Sequence, residues 1–250
     1  MYHIISIRDF EREDLDHLLD RAEVFETGRY TPGLLKDSLV ALLFFEPSTR
    51  TRMSFAAALA RLGGQSISVD SVEASSIVKG ETLADTIRVV SGYVDAIVLR
   101  HPKEGAARLA AEFSSVPVIN AGDGAHEHPT QALLDAFTMR HHYEAVGEPG
   151  FEGKKIVIAG DLLHSRVVRS NVLLQQTLGG QVTLVAPPTL LPMGIDTWGC
   201  PVTDDFDSVI EDADVVMMLR VQRERMSSGF FPTAREYSEM FGLTPERLAR

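Results

Sequence analysis

Residues 47–55 read Pro-Ser-Thr-Arg-Thr-Arg-Met-Ser-Phe, a cluster of hydroxyl and guanidinium groups that can hold an anion. The apolar run Val40–Phe45 ahead of it has the length and composition of a buried strand. The alanine- and leucine-rich stretch behind it, Met53–Leu62, stops at Gly63-Gly64 and reads as a helix with a glycine end. Ser48, Thr49, Arg50 and Thr51 therefore fall at a helix N-terminus just past a strand. Free backbone N–H groups and the helix dipole favour negative charge there. The hydroxyls add donors, and the planar fork of Arg50 matches phosphate oxygens.

Other reactive groups fall where strands should end. Arg100-His101-Pro102 follows the strand candidate Ala96–Leu99. Asn120–Gln131 reads as a glycine-rich turn between a strand and a helix, with His128 and Gln131 at the helix start. A histidine there can donate to a carbonyl oxygen and a glutamine can contact an amide. His126-Glu127-His128 has the spacing of a metal pair, but a catalytic zinc needs about three protein ligands. No other ligand pair is evident, so no metal is assigned. Gly160–Asn171 follows another strand and lacks Gly-x-Gly-x-x-Gly, so a dinucleotide is not supported. Arg166 in that segment reads as a carboxylate clamp. Arg220 and Gln222 should share one face of an extended strand end, suited to a carboxylate beside an amine. Ser75–Glu81 is a polar loop from which Lys79 can reach an anion. Arg223 and Arg225 read as surface charge.

The elements that must position these groups alternate. Asp9–Phe25 is an amphipathic helix with Leu15, Leu18, Leu19, Ala22 and Phe25 on one face. Strands are expected at Val40–Phe45, Ser66–Val69, Ala96–Leu99 and Val116–Ile119. Helices are expected at Thr51–Leu62, Thr82–Gly92, Glu104–Phe113 and Thr130–Tyr143. After a break at Gly147–Gly153 the pattern restarts: strands Lys155–Ala159, Gln181–Val185 and Val215–Leu219, helices Arg166–Leu178 and Thr233–Phe241. Such alternation implies an α/β fold of two doubly wound domains, each a parallel sheet flanked by helices. The expected domains are residues 1–130 and 131–250. The second is one strand–helix unit poorer than a complete doubly wound half. Thr244-Pro245-Glu246 opens a further helix close to Arg250, so the natural chain is expected to continue.

The chain has 250 residues, 44% of them hydrophobic, which is enough for a packed core. No apolar run reaches the ~20 residues of a membrane span, and Arg8 and Asp9 interrupt any secretory signal. One cysteine, Cys200, excludes internal disulfides. A cytoplasmic protein is expected. The net charge of −11, from 24 basic and 35 acidic residues, argues against nucleic acid as a partner. It also gives weight to arginines gathered at particular places, namely Arg50, Arg52, Arg100, Arg166 and Arg220.

Taken together, Ser-Thr-Arg-Thr-Arg at 48–52, Lys-Gly-Glu-Thr at 79–82, Arg-His-Pro at 100–102, His-Pro-Thr-Gln at 128–131 and Arg-Val-Gln-x-Glu-Arg at 220–225 resemble the aspartate/ornithine carbamoyltransferase family. The resemblance covers nearly the whole chain. The last two motifs are similar to the aspartate branch, and no His-Cys-Leu-Pro motif of the ornithine branch occurs. The resemblance implies transfer of a carbamoyl group from carbamoyl phosphate to L-aspartate, giving N-carbamoyl-L-aspartate for pyrimidine biosynthesis. It implies that Ser48, Thr49, Arg50 and Thr51 hold the phosphate. Arg100 would bridge phosphate and carbonyl, and His128 and Gln131 would hold the carbamoyl group. Lys79, Arg166, Arg220 and Gln222 would hold aspartate. Ser75 and Lys79 would come from a neighbouring subunit of a homotrimer, which a regulatory or partner subunit can join. No metal or cofactor is implied. The family continues to a His-Pro-x-Pro segment and a C-terminal helix that returns to the first domain. The sequence stops before both, so a truncated, inactive homologue serving as a binding or assembly subunit is the second reading.

Overall fold

The structure, a computed structural model, describes residues 2–69, 80–222 and 233–250. It divides into two compact units, Met1–Leu133 and Leu134–Arg250. In the first unit a 3-10 turn at Ile7–Asp9 precedes helix α1, Arg12–Glu26, whose Leu15 and Leu19 are buried. Strand β1 (Leu39–Phe44) leads to α2 (Thr49–Arg61) and β2 (Gln65–Val69). Then come α3 (Leu83–Val90), β3 (Ala96–His101), α4 (Ala106–Phe113) and β4 (Val118–Asp123). Helix α5, Pro129–Ala145, runs across the boundary between the units.

The four strands form a parallel sheet in the order β2-β1-β3-β4. Successive side chains of a strand face opposite ways, and here both faces are covered. Ala41, Leu43, Ile97 and Leu99 pack with Ile87 and Val90 of α3 and Ala107 and Ala110 of α4. Val40, Leu42, Phe44 and Val98 pack with Leu59 of α2. This is why β1 reads as an unbroken apolar run rather than an alternating one.

The second unit repeats the plan with β5 (Lys155–Ala159), α6 (Arg166–Thr177) and β6 (Gln181–Val185). It continues with β7 (Val202–Thr203), α7 (Asp207–Ile210) and β8 (Val215–Met218). Its parallel sheet is ordered β7-β6-β5-β8. The second unit is therefore not short of a strand. A fourth strand is present, but only two residues long, and α7 has one turn; neither has enough periodicity to read from sequence. Cys200 sits half-buried just before β7, packed on the cluster of Ile156, Ile158, Val182 and Leu184.

Helices α8 (Ala234–Phe241) and α9 (Pro245–Leu248) close the described chain. The Thr244 hydroxyl accepts from the Arg247 backbone N–H as an N-cap. A helix this short needs packing. It has it: the Arg247 guanidinium donates to both Asp207 oxygens at 3.1 and 2.6 Å and lies over the Phe206 ring. Among the described residues no helix is long and apolar enough to cross a membrane.

Ile97 lies in the middle of the first sheet and is fully buried. Replacing Ile97 by Ala should destabilise the protein by about 2–5 kcal/mol. Val89→Ala, at a side chain 60% exposed, should change stability by no more than about 0.5 kcal/mol. Denaturant titration of both variants checks the assignment of the core; equal effects would count against it.

Candidate active site

All connections in a parallel sheet leave from the same edge, so residues after the strands gather there. In the first unit, Ser48 precedes α2 and makes no side-chain capping bond, so its hydroxyl is not spent on the helix. Thr49, Arg50 and Thr51 form the first turn of α2, with Thr49 and Arg50 exposed. The sequence reading of a strand followed by donors at a helix start holds here. Register places Arg100 opposite Phe44, the last residue of β1, and the Phe45 N–H donates to the Arg100 carbonyl at 2.9 Å. The same sheet edge thus carries both groups.

Arg100 falls at an irregularity. Leu99 pairs with Asn120 but His101 pairs with Asp123, so β4 carries an extra residue opposite Arg100. Bulges of this sort re-aim side chains. The Arg100 guanidinium donates to the Ala121 carbonyl at 3.1 Å and lies 3.5 Å from Glu46. The Asn120 side chain holds the bulge, donating to the Ile5 carbonyl and accepting from the Gly122 N–H. The segment expected as a turn after Ile119 is therefore the end of a strand. Four further residues, Asn120–Asp123, stay in β4, because side-chain bonds and a glycine at φ +114° absorb the irregularity.

His128 is buried, immediately before α5, and Gln131 sits half-buried in the first turn of that helix. The Gln131 N–H donates to the His128 carbonyl at 3.0 Å. Burial, and then the positive charge of Arg100, push the His128 imidazole down from the ordinary 6.5 to about 4, against the pull of Asp123. At neutral pH the ring is uncharged and can donate one hydrogen bond without repelling Arg100. Glu127, next to it, turns away from the ring: its carboxylate accepts from the Ser6 hydroxyl at 2.5 Å and the Ile7 N–H at 3.0 Å.

In the second unit Arg166 is buried at the first position of α6. The turn before it is set by Asp161, fully buried, whose carboxylate accepts from the His164 N–H at 3.1 Å and the Gln222 N–H at 3.0 Å. The Gly160 N–H bonds the Val185 carbonyl, and a Cβ at Gly160 would meet the Leu219 carbonyl at 2.7 Å. Arg220 is exposed and Gln222 half-buried. Both follow β8, which ends at Met218. The Leu219 N–H still bonds the Ala159 carbonyl at 2.8 Å, and beyond it the Gln222 N–H bonds the Asp161 carboxylate. Ser75, Lys79, Arg223 and Arg225 lie outside the described residues. Asp123, Glu127 and Glu46 support the site without having been singled out from sequence. Their partners lie far along the chain, and only the glycine-flanked acid in Asn-Ala-Gly-Asp-Gly hinted at one of them.

The depressed His128 gives a stability prediction. The unfolded chain takes up a proton near pH 6.5 and the folded one only near 4. Stability should thus be complete above pH 6.5 and fall as pH drops to about 4, by about 3 kcal/mol at full effect. In His128→Gln this part of the acid sensitivity should vanish. Denaturant melts from pH 7 to 4 on both proteins check it; parallel pH curves would refute the assignment.

Comparison with known proteins is consistent with this geometry. Residues 2–141 match the family described as aspartate/ornithine carbamoyltransferase, carbamoyl-P binding domain. The aspartate carbamoyltransferase catalytic subunit of Methanoculleus marisnigri is 57% identical, across 95% of this chain and 80% of the relative. That of Thermobifida fusca is 51% identical, across 100% of this chain and 80% of the relative. Among solved structures, aspartate transcarbamoylase from Trypanosoma cruzi in complex with carbamoyl aspartate and phosphate superposes with a TM-score of 0.83 at 34% identity, covering 99% of this chain and 80% of that one. The catalytic subunit of the M. jannaschii enzyme gives 0.77 at 41% identity, covering 96% and 79%. A parallel sheet unit matched over residues 2–141, in a chain related along nearly its full length, makes this chain a member of the aspartate/ornithine carbamoyltransferase family.

Proposed function

We propose that this chain transfers the carbamoyl group of carbamoyl phosphate to the amino group of L-aspartate, giving N-carbamoyl-L-aspartate and phosphate. The observation that carries the reading is the sheet edge of the first unit. It carries the Ser48–Thr51 helix start, with Thr49 and Arg50 exposed, and Arg100, whose charge acts on an uncharged His128. That combination suits a phosphoanhydride-like substrate with a carbonyl. Ser48, Thr49, Arg50 and Thr51 hold its phosphate. Arg100, His128 and Gln131 hold its carbamoyl group.

The chemistry follows from these groups. The neutral aspartate amine attacks the carbonyl carbon and a C–N bond forms. The carbonyl oxygen gains charge, which Arg100 and the His128 N–H stabilise. The C–O bond to phosphate then breaks, and phosphate carries away the amine proton. Positioning and preorganised donors supply the rate. Arg166, Arg220 and Gln222 bind the carboxylates of aspartate; Arg166 is preset by its burial at the start of α6. The working unit is a homotrimer in the cytoplasm, to which a neighbouring subunit brings Ser75 and Lys79. The name catalytic subunit, borne by the relatives, supports an assembly of this kind.

The direct test is colorimetric detection of carbamoyl aspartate from purified protein; no product above the uncatalysed rate would sink the reading. In an active parent, Arg50→Ala should lower kcat/KM for carbamoyl phosphate on the order of 10²-fold with little change in melting temperature. A bisubstrate analogue joining a phosphonate to aspartate should bind more tightly by calorimetry than its ornithine counterpart. The reverse order would exclude aspartate as the acceptor.

A further inference from the structure

Asp123 is 2% exposed, a buried carboxylate with four polar neighbours. Its Oδ1 accepts from the Asn120 side chain at 3.0 Å and from the Glu127 N–H at 3.2 Å. Its Oδ2 accepts from the Gly105 N–H at 2.9 Å and lies 3.5 Å from His126 Nδ1. Burying such a charge is costly unless its oxygens are satisfied. Here the donors come from two loops. Gly105 belongs to the loop that follows Arg100 and His101; Glu127 belongs to the loop that ends in His128.

The backbones of these loops also meet directly. The Gly124 N–H donates to the His101 carbonyl at 2.9 Å, and within its own loop the Asp123 N–H donates to the Glu127 carbonyl at 3.1 Å. Gly124 has φ +54°, and a Cβ there would lie 2.5 Å from Glu104 Cγ and 2.8 Å from the Glu104 nitrogen. The two loops are thus seated on one another with no room for a side chain.

We infer that Asp123 is a positioning residue: its carboxylate fastens the loop carrying His128 to the loop following Arg100, and so fixes the imidazole relative to the guanidinium. The inference rests on the reading of this edge as a carbamoyl-transfer site. A displacement of about 1 Å in such a pair is enough to cost on the order of 10²-fold in rate. In Asp123→Asn the shape is kept, but an NH₂ group faces N–H donors and one loop loses its acceptor. In Gly124→Ala the carboxylate is kept and the loops are pushed apart.

The test uses the full chain. In both variants kcat should fall about 10- to 100-fold, with KM for aspartate within about twofold of the parent. The NMR signal of the His128 ring in ligand-free protein should shift in both. A purely structural role would lower the melting temperature yet leave the ring signal and the kcat per folded molecule unchanged, and that result overturns the inference. If the parent forms no carbamoyl aspartate, the transferase reading fails and the ring signal alone decides the role of Asp123. If neither variant folds, Asp123 serves the fold rather than the site, and the inference is likewise wrong.

Discussion

Parallel strand alignment is the constraint from which the rest follows. Because β1, β3 and β4 run the same way, their ends reach one edge, and the loops that leave them are neighbours without being sequential. Neighbouring loops need cross-links, since no ladder joins them beyond the last paired residue. Both units supply a buried aspartate for this. Asp123 joins loops after β3 and β4, and Asp161 joins the turn after β5 to the segment after β8. In each case backbone N–H groups from both segments are among the donors. The carboxylates are therefore satisfied in part by backbone groups that cannot rotate away, which helps make burial of a charge tolerable.

The electrostatics of the first unit are arranged in the same spirit. A histidine beside an arginine and a carboxylate has competing influences, and burial decides between them. His128 stays neutral while Arg100 stays charged. One neutral donor and one permanent cation can then face a single oxygen without mutual repulsion. Glu127 next door does not spoil this, because the hydroxyl of Ser6 and the N–H of Ile7 occupy its carboxylate.

How much of this was legible depended on distance along the chain. Val40–Phe45 and the Ser48–Thr51 helix start were readable because strand, cap and helix are local properties. Arg100 and His128 were placed after their strands by the same local logic. What could not be read was the extension of β4 through Asn120–Asp123, where glycine and asparagine imitate a turn while side-chain bonds keep the strand going. Nor could the sequence reveal that Asp123 meets Gly105 or that Glu127 meets Ser6, since those pairings exist only once the sheet has formed. The strand expected at Val215–Leu219 is present as Val215–Met218, and past Leu219 the bond from Gln222 to Asp161 carries the chain onto the turn after β5. The two-residue β7 and one-turn α7 fell below the length at which any period can be seen.

The single thiol of the chain has a practical consequence. Cys200 is half-buried beside β7, and burial pushes its thiol up to about 11. At neutral pH only about one molecule in ten thousand then carries the reactive thiolate. A maleimide should therefore react slowly with this thiol. Within these 250 residues a thiol label thus goes to one position, beside the outermost strand of the second sheet, without any engineered cysteine.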